Sequence, residues 1–205
     1  MYVPPLFKVD DDDAWQIVHD AGAAMLVIAT EEGLASVYVP VLPSEDRRTI
    51  RFHVARANPW WRSVKEGTEV LALFLAASAY VSPNLYPSRS ESPGVVPTWN
   101  YVACEVRGRL RVHDDLEWTS NQVHDLTDHF EANNSPPWRV EDSPAEYIGH
   151  QLTAIVGLEI DVDSIQGKAK LSQNRPEIDH DNVREHFAQG SWAEQNVASR
   201  MNLDK

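Results

Sequence analysis

Residues 23–30 read AAMLVIAT, Glu32-Gly33 follows, and residues 34–42 read LASVYVPVL, a pattern of two strands about a turn. The first run is nearly all apolar. The turn supplies a glycine, which adopts positive φ without steric penalty, and the second run is rich in β-branched residues. Residues 49–54 (TIRFHV) alternate apolar and polar, the period of a strand with one buried face. Together the three runs predict an antiparallel meander.

Working outward, Asp10 to Asp13 precede Ala14, Trp15, Ile17, Val18 and Ala21. Carboxylates in the first turn complement a helix dipole, so this is an amphipathic helix; the run lacks the glycine and closing glutamate of a calcium loop. Asn58-Pro59 predicts a further helix start, with Asn as cap and Pro at the first position, and with Trp60, Trp61 and Val64 on its buried side. Residues 69–76 (EVLALFLA) form a buried strand that residues 79–82 extend or follow. Residues 83–97 then break the pattern with four prolines and a glycine, and a loop of that length is often functional.

Residues 98–112 (TWNYVACEVRGRLRV) form a long alternating strand carrying Cys104, expected as a small core or surface residue and not a nucleophile. The rest is more helical. A helix is expected over 116–131, a capping box at Ser143-Pro144-Ala145-Glu146, and a strand over 154–163. A helix over 182–188 is ended by Gly190, and Ser191-Trp192-Ala193-Glu194 opens a second capping box. Six or seven short strands with helices at the ends and edges predict a mainly β, antiparallel small barrel: one domain over residues 1–205 with a helical C-terminal portion.

The chain has 205 residues, a formal charge of -13 and one cysteine, which rules out an internal disulfide and suits a reducing, cytoplasmic setting. Met1-Tyr2-Val3-Pro4-Pro5 has no basic and apolar leader pattern, and no apolar run approaches the ~20 residues of a membrane span. The acidic balance and the lack of a basic recognition helix make direct DNA binding doubtful. Basic residues cluster locally, as Arg47, Arg48, Arg51, Arg56 and Arg62, and again as Lys168, Lys170 and Arg175. Such groups suit an anionic small molecule, or are ordinary solvated charge. His124, Asp125, Asp128 and His129 look metal-like, but only His124 and Asp128 share a helix face, so no metal site is expected. P-loop, GxGxxG and GxSxG signatures are absent.

Four stretches carry a family resemblance: Met1 to Pro5; His53-Val54-Ala55-Arg56-Ala57-Asn58-Pro59 with Trp61; Ala79-Tyr80-Val81-Ser82-Pro83 with Tyr86-Pro87-Ser88, running to Val96-Pro97-Thr98-Trp99-Asn100-Tyr101; and Ala154-Ile155-Val156-Gly157 running to Gly167-Lys168-Ala169-Lys170-Leu171-Ser172-Gln173-Asn174-Arg175. In this order the chain resembles the PaiB-type FMN-binding negative transcriptional regulators. The resemblance implies a split β-barrel, a homodimer and a flavin site shared between subunits. The chain departs from the family pattern at Tyr38-Val39-Pro40, Phe52-His53, Ala76-Ala77-Ser78 and Leu85-Tyr86-Pro87.

FMN asks for cations at its phosphate and for aromatic walls with a few polar groups at its ring. Arg56 with Asn58 at a helix start suits the phosphate; Lys170 and Arg175 are second candidates, and Gln173 lies between them. Tyr80, Ser82, Tyr86, Trp99 and Asn100 suit the ring, although Tyr80 and Trp99 are equally suited to a core and Asn58 to a cap. His53 reads as a barrel histidine, or as the axial ligand if the cofactor is haem. The expected function is that of a flavin-binding regulatory protein. The alternatives are a flavin-dependent oxidoreductase, a haem enzyme resembling the piperazate synthases that close an N–N bond, and an interaction module without cofactor.

Overall fold

The computed structural model describes residues 1–91 and 94–201; Ser92 and Pro93 of the proline-rich loop lie outside the described residues. The elements in order are α1 (Asp11–Ala21), β1 (Ala23–Thr30), β2 (Gly33–Pro40), β3 (Leu42–Pro43), β4 (Thr49–Ala55), β5 (Thr68–Val81), β6 (Thr98–His113), α2 (Leu116–Glu131), α3 (Ala145–Thr153), β7 (Ile155–Lys170), α4 (Glu177–Ala188) and α5 (Trp192–Arg200). The seven strands make one sheet in the order β2-β1-β5-β6-β7-β4-β3, which is not closed on itself.

The hairpin forms as read, with Ala23 opposite Pro40 and Thr30 opposite Gly33. Gly33 sits at φ +119, a conformation that L side chains rarely adopt. The meander does not form. β4 pairs with β7 along its length, from Thr49 opposite Asp161 to Ala55 opposite Ile155, and not with β2. The run at 34–42 is also two strands. β2 ends at Pro40, and β3 pairs with β4 through Leu42 opposite Arg51.

The expected pieces at 69–76 and 79–82 are one strand, β5. Its buried side changes phase midway, from Val70, Ala72 and Phe74 to Ala77, Ala79 and Val81, which periodicity alone reads as a break. β7 runs seven residues past the expected end, through Gly167 and two lysines. Gly167 belongs there because a Cβ on it would stand 2.4 Å from Val9 Cγ2. Ser143 does not cap α3; Pro144 occupies the cap position with no side-chain bond. α4 begins at Glu177, earlier than expected. The Ser191 box forms as read, with the Ser191 amide donating to Glu194 Oε2 at 2.7 Å. After Asn58 the chain takes a short 3-10 turn, Pro59–Ser63, rather than an α-helix.

The chain divides into two compact units, one of residues 1–21, 74–105 and 166–205, the other of residues 22–73 and 106–165. The first has its core in Trp15, Val18, Phe74, Leu171, Phe187 and Met201; the second in Leu26, Ile28, Ile50, Phe52, Leu110, Leu158 and Ile160. In the second, α2 lies on one face of β4 and β7. Arg51 pairs with Asp125 at 2.8 Å, and the Trp118 indole lies against Gly157. Among the described residues, no helix is long and apolar enough to cross a membrane.

Candidate functional site

Of the expected site residues, the first unit brings together those on β5, β6 and the end of β7. Tyr80 and Trp99 point outward from β5 and β6 because the inward positions go to Ala79, Val81 and Asn100. Their rings meet edge to face with centroids 6.1 Å apart. They remain 49% and 54% exposed, so they are surface groups and not core. Lys170 reaches across to β6, where its Nζ donates to Thr98 Oγ1 and to the Trp99 carbonyl, both at 2.6 Å. Arg175 lies over the buried Tyr86 ring, 4.3 Å from its centroid.

Lys168, expected as one of the basic group, joins these residues, as does Tyr101, which was not among the expected site residues. The Lys168 ammonium stands 5.2 Å from the Tyr101 centroid and donates to the Tyr2 carbonyl at 3.1 Å. The signal was there in two alternating patterns, Trp99-Asn100-Tyr101 and Lys168-Ala169-Lys170, once both are placed on strands. Burial pushes the Lys170 ammonium below its ordinary range, and the charges of Lys168 and Arg175 push it further. Burial also raises the Tyr86 phenol, against the opposing charge of Arg175. Among the described residues, no carboxylate pairs with Lys168, Lys170 or Arg175.

The remaining polar residues of this unit hold the backbone. Asn100 is fully buried, and its amide donates to Ser172 Oγ at 2.9 Å. Ser172 carries a positive φ of 70 at the turn leaving β7. Gln173 closes that turn, accepting from the Leu171 amide at 2.6 Å and donating to the Ala169 carbonyl at 2.7 Å. Ser82 Oγ accepts from the Asn84 amide at 3.2 Å and starts the next short helix. These side chains shape the strand ends from which Tyr80, Trp99 and Lys170 project.

Arg56, Asn58 and His53 belong to the second unit, where each has a local task. Arg56 donates to Asp114 Oδ1 at 2.6 Å and to the Thr153 and Ile155 carbonyls at 2.9 and 3.0 Å. Asn58 Oδ1 accepts from the Trp60 amide at 3.0 Å, as a cap does. His53 Nδ1 donates to Oε1 of the buried Gln122 at 2.9 Å, which seats the ring beneath α2. His124 pairs with Glu141 at 3.0 Å and makes no metal cluster; none is present among the described residues.

FMN is the test ligand for the first unit's face, and the residues fit it. Cations without carboxylate partners match a phosphate dianion, and an exposed aromatic pair matches a planar ring. An open antiparallel sheet with such a face suits a planar anion. The chain belongs to the family described as "Putative FMN-binding domain", matched over residues 1–164.

It is 31% identical over 191 residues to the Protease synthase and sporulation protein PAI 2 of Bacillus subtilis, covering 91% of this chain and 89% of that one. It is 32% identical over 164 residues to a protein of Emericella nidulans, covering 67% of this chain and 65% of the fungal one. Among solved structures it is similar to the flavocytochrome Anf3 from Azotobacter vinelandii, with TM-score 0.61, 12% identity, and 92% and 77% of the two chains covered. It is also similar to the FAD and heme binding protein from Mycobacterium smegmatis, with TM-score 0.59, 16% identity, and 90% and 80% covered. At these identities the likeness to the solved structures is one of fold.

Proposed function

We propose that the chain holds FMN on the outer face of β5, β6 and β7, with Lys170 and Arg175 taking the phosphate, Lys168 adding charge behind them, and Tyr80 and Trp99 flanking the ring. The observation that carries this reading is three cations without carboxylate partners among the described residues, beside an exposed aromatic pair, in a chain of charge -13. A dianion relieves the mutual repulsion of the cations, which moves the Lys170 ammonium back toward its ordinary range against the effect of burial. When bound, FMN supplies hydride or single-electron transfer; the side chains named here bind and orient it.

In this reading the chain is also a homodimer. The support is an apolar row across three strands of the second unit, Tyr38 opposite Met25 and Met25 opposite Leu73, respectively 66%, 38% and 41% exposed. A flat row of this kind suits a two-fold, self-complementary contact. The biological role in this reading is regulatory or oxidoreductive and works through the flavin and not through the DNA duplex, because the acidic charge opposes phosphate contact.

Fluorescence titration with FMN and with riboflavin tests the site. The wild type prefers FMN, and Lys170→Met or Arg175→Met lowers FMN affinity about tenfold while leaving riboflavin unchanged. A wild type that ignores FMN, or variants that keep the full preference, overturns it. Light scattering on wild type and Leu73→Glu tests the dimer: a monomeric wild type removes that part.

A further inference from the structure

A separate, smaller cavity opens in the unit that carries α1 and α5. Its floor is apolar, made by Val102 of β6, Ala169 and Leu171 at the end of β7, and Ile17 of α1. Its volume is about 160 Å³, near five waters at ~30 Å³ each. That is below the ~300–1,000 Å³ of sites for drug-sized ligands, so a flavin is excluded and a small metabolite is not.

The mouth is charged, and its charges are unevenly used. Arg200 donates through Nη1 to Asp20 Oδ2 at 2.5 Å, and Asp20 Oδ1 accepts from Gln16 Nε2 at 2.8 Å. Both oxygens of Asp20 are therefore engaged, and the guanidinium is held in place. Arg200 Nε is out of contact with solvent and has no acceptor. Nothing that enters the cavity reaches that buried nitrogen; Nη2, which makes no bond among the described residues, is the donor left for a carboxylate or carbonyl from outside the chain. Asp13 lies seven residues before Asp20 on the same side of α1 and also lines the cavity. Among the described residues no cation pairs with Asp13.

An acceptor for Arg200, a cation for Asp13 and an aliphatic body for Val102 and Leu171 are the three parts of one kind of molecule. We infer that this cavity binds a free aliphatic α-amino acid as its zwitterion, carboxylate to Arg200 and ammonium to Asp13. A simple carboxylate meets Asp13 and Asp20 with like charge, and a simple amine leaves Arg200 Nη2 unmet. The binding is non-covalent and independent of the flavin face, which lies on other residues.

The test is calorimetric titration of the full chain with L-leucine, 4-methylpentanoate (no ammonium), isopentylamine (no carboxylate) and L-serine (no aliphatic body). L-Leucine binds saturably, and each of the other three binds at least about tenfold more weakly. Asp13→Asn, an exposed change that leaves the circular dichroism unaltered, weakens leucine about tenfold and strengthens 4-methylpentanoate, which no longer meets that like charge. Absence of saturation by leucine at millimolar concentration, equal binding of the amine or the acid alone, or an Asp13→Asn protein that binds leucine as the wild type does overturns the assignment. An FMN titration in parallel has no bearing on it, so failure of one site is told apart from failure of the other.

Discussion

Gly157 lies directly beneath the indole of Trp118: a Cβ placed on the glycine would stand 2.3 Å from Trp118 Cζ3 and 2.5 Å from Cε3. The same indole stacks on His113, with ring centroids 4.1 Å apart and planes 3° from parallel. α2 therefore rests on β7 at a place where only a hydrogen atom fits. Gly157→Ala forces the indole, and the helix turn carrying it, away from the strand. The expected loss is about 1–3 kcal/mol, the usual cost of overpacking a fitted contact. Denaturant unfolding followed by tryptophan fluorescence reads it, and an alanine variant as stable as wild type refutes the contact.

Arg56 gives a prediction that separates two roles for one residue. Its fork joins Asp114 to the backbone where α3 meets β7, so its hydrogen bonds are made within its own unit. The Asp114 bond holds the Arg56 guanidinium above its ordinary range and the Asp114 carboxyl below its own. Arg56→Ala is expected to lower the melting temperature and leave the affinity for FMN within twofold of wild type, whereas Lys170→Met does the reverse. Arg56→Lys restores little, because an ammonium cannot span a carboxylate and two carbonyls in one plane. Thermal melts beside flavin titrations decide it; a large FMN loss in Arg56→Ala moves the phosphate to that unit.

These residues mark where the amino-acid sequence is legible. The hairpin of β1 and β2, helix α2 and the Ser191 cap rest on neighbours in the chain, and they could be read directly. The pairing of β4 with β7 joins residues a hundred or more positions apart, and no local pattern encodes it. The end of β7 was hidden because Gly167, Lys168 and Lys170 resemble a basic turn until Val9 is seen pressing on the glycine. Tyr80, Trp99, Lys170 and Arg175 stood out by residue type. That Asn100, Ser82 and Gln173 serve the backbone instead depended on partners the sequence does not name. Arg56 looked free for the same reason: Asp114 lies 58 residues away.

Cys104 yields a chemical prediction. It is buried on β6, and burial pushes its thiol up to about 12. The thiolate is the reactive form, so at neutral or mildly alkaline pH almost none is present. The native protein is expected to resist iodoacetamide at pH 8 for hours and to take up one equivalent in denaturant. Mass spectrometry of the intact chain measures this. Rapid alkylation of the native protein would mean that β6 opens around Cys104.

His124 carries the pH dependence. Its Nδ1 lies 2.7 Å from the Ser120 carbonyl and its Nε2 3.0 Å from Glu141 Oε1. The Ser120 carbonyl raises its pKa most; burial opposes, and Glu141 adds to the rise. A ring that donates to both partners at once is protonated, so folding binds a proton more tightly than the unfolded chain does. The contribution is therefore fully present below the unfolded value near ~6.5 and is lost as pH rises through the higher folded value. The side chain is more than a third exposed, so salt screens the pair and the effect is modest. His124→Gln is expected to destabilise the protein at pH 6 and to match wild type by pH 9, with the gap narrowing in high salt. Melting curves across that range measure it. A gap that widens with rising pH would show that the ring is held neutral, with Glu141 as a bystander.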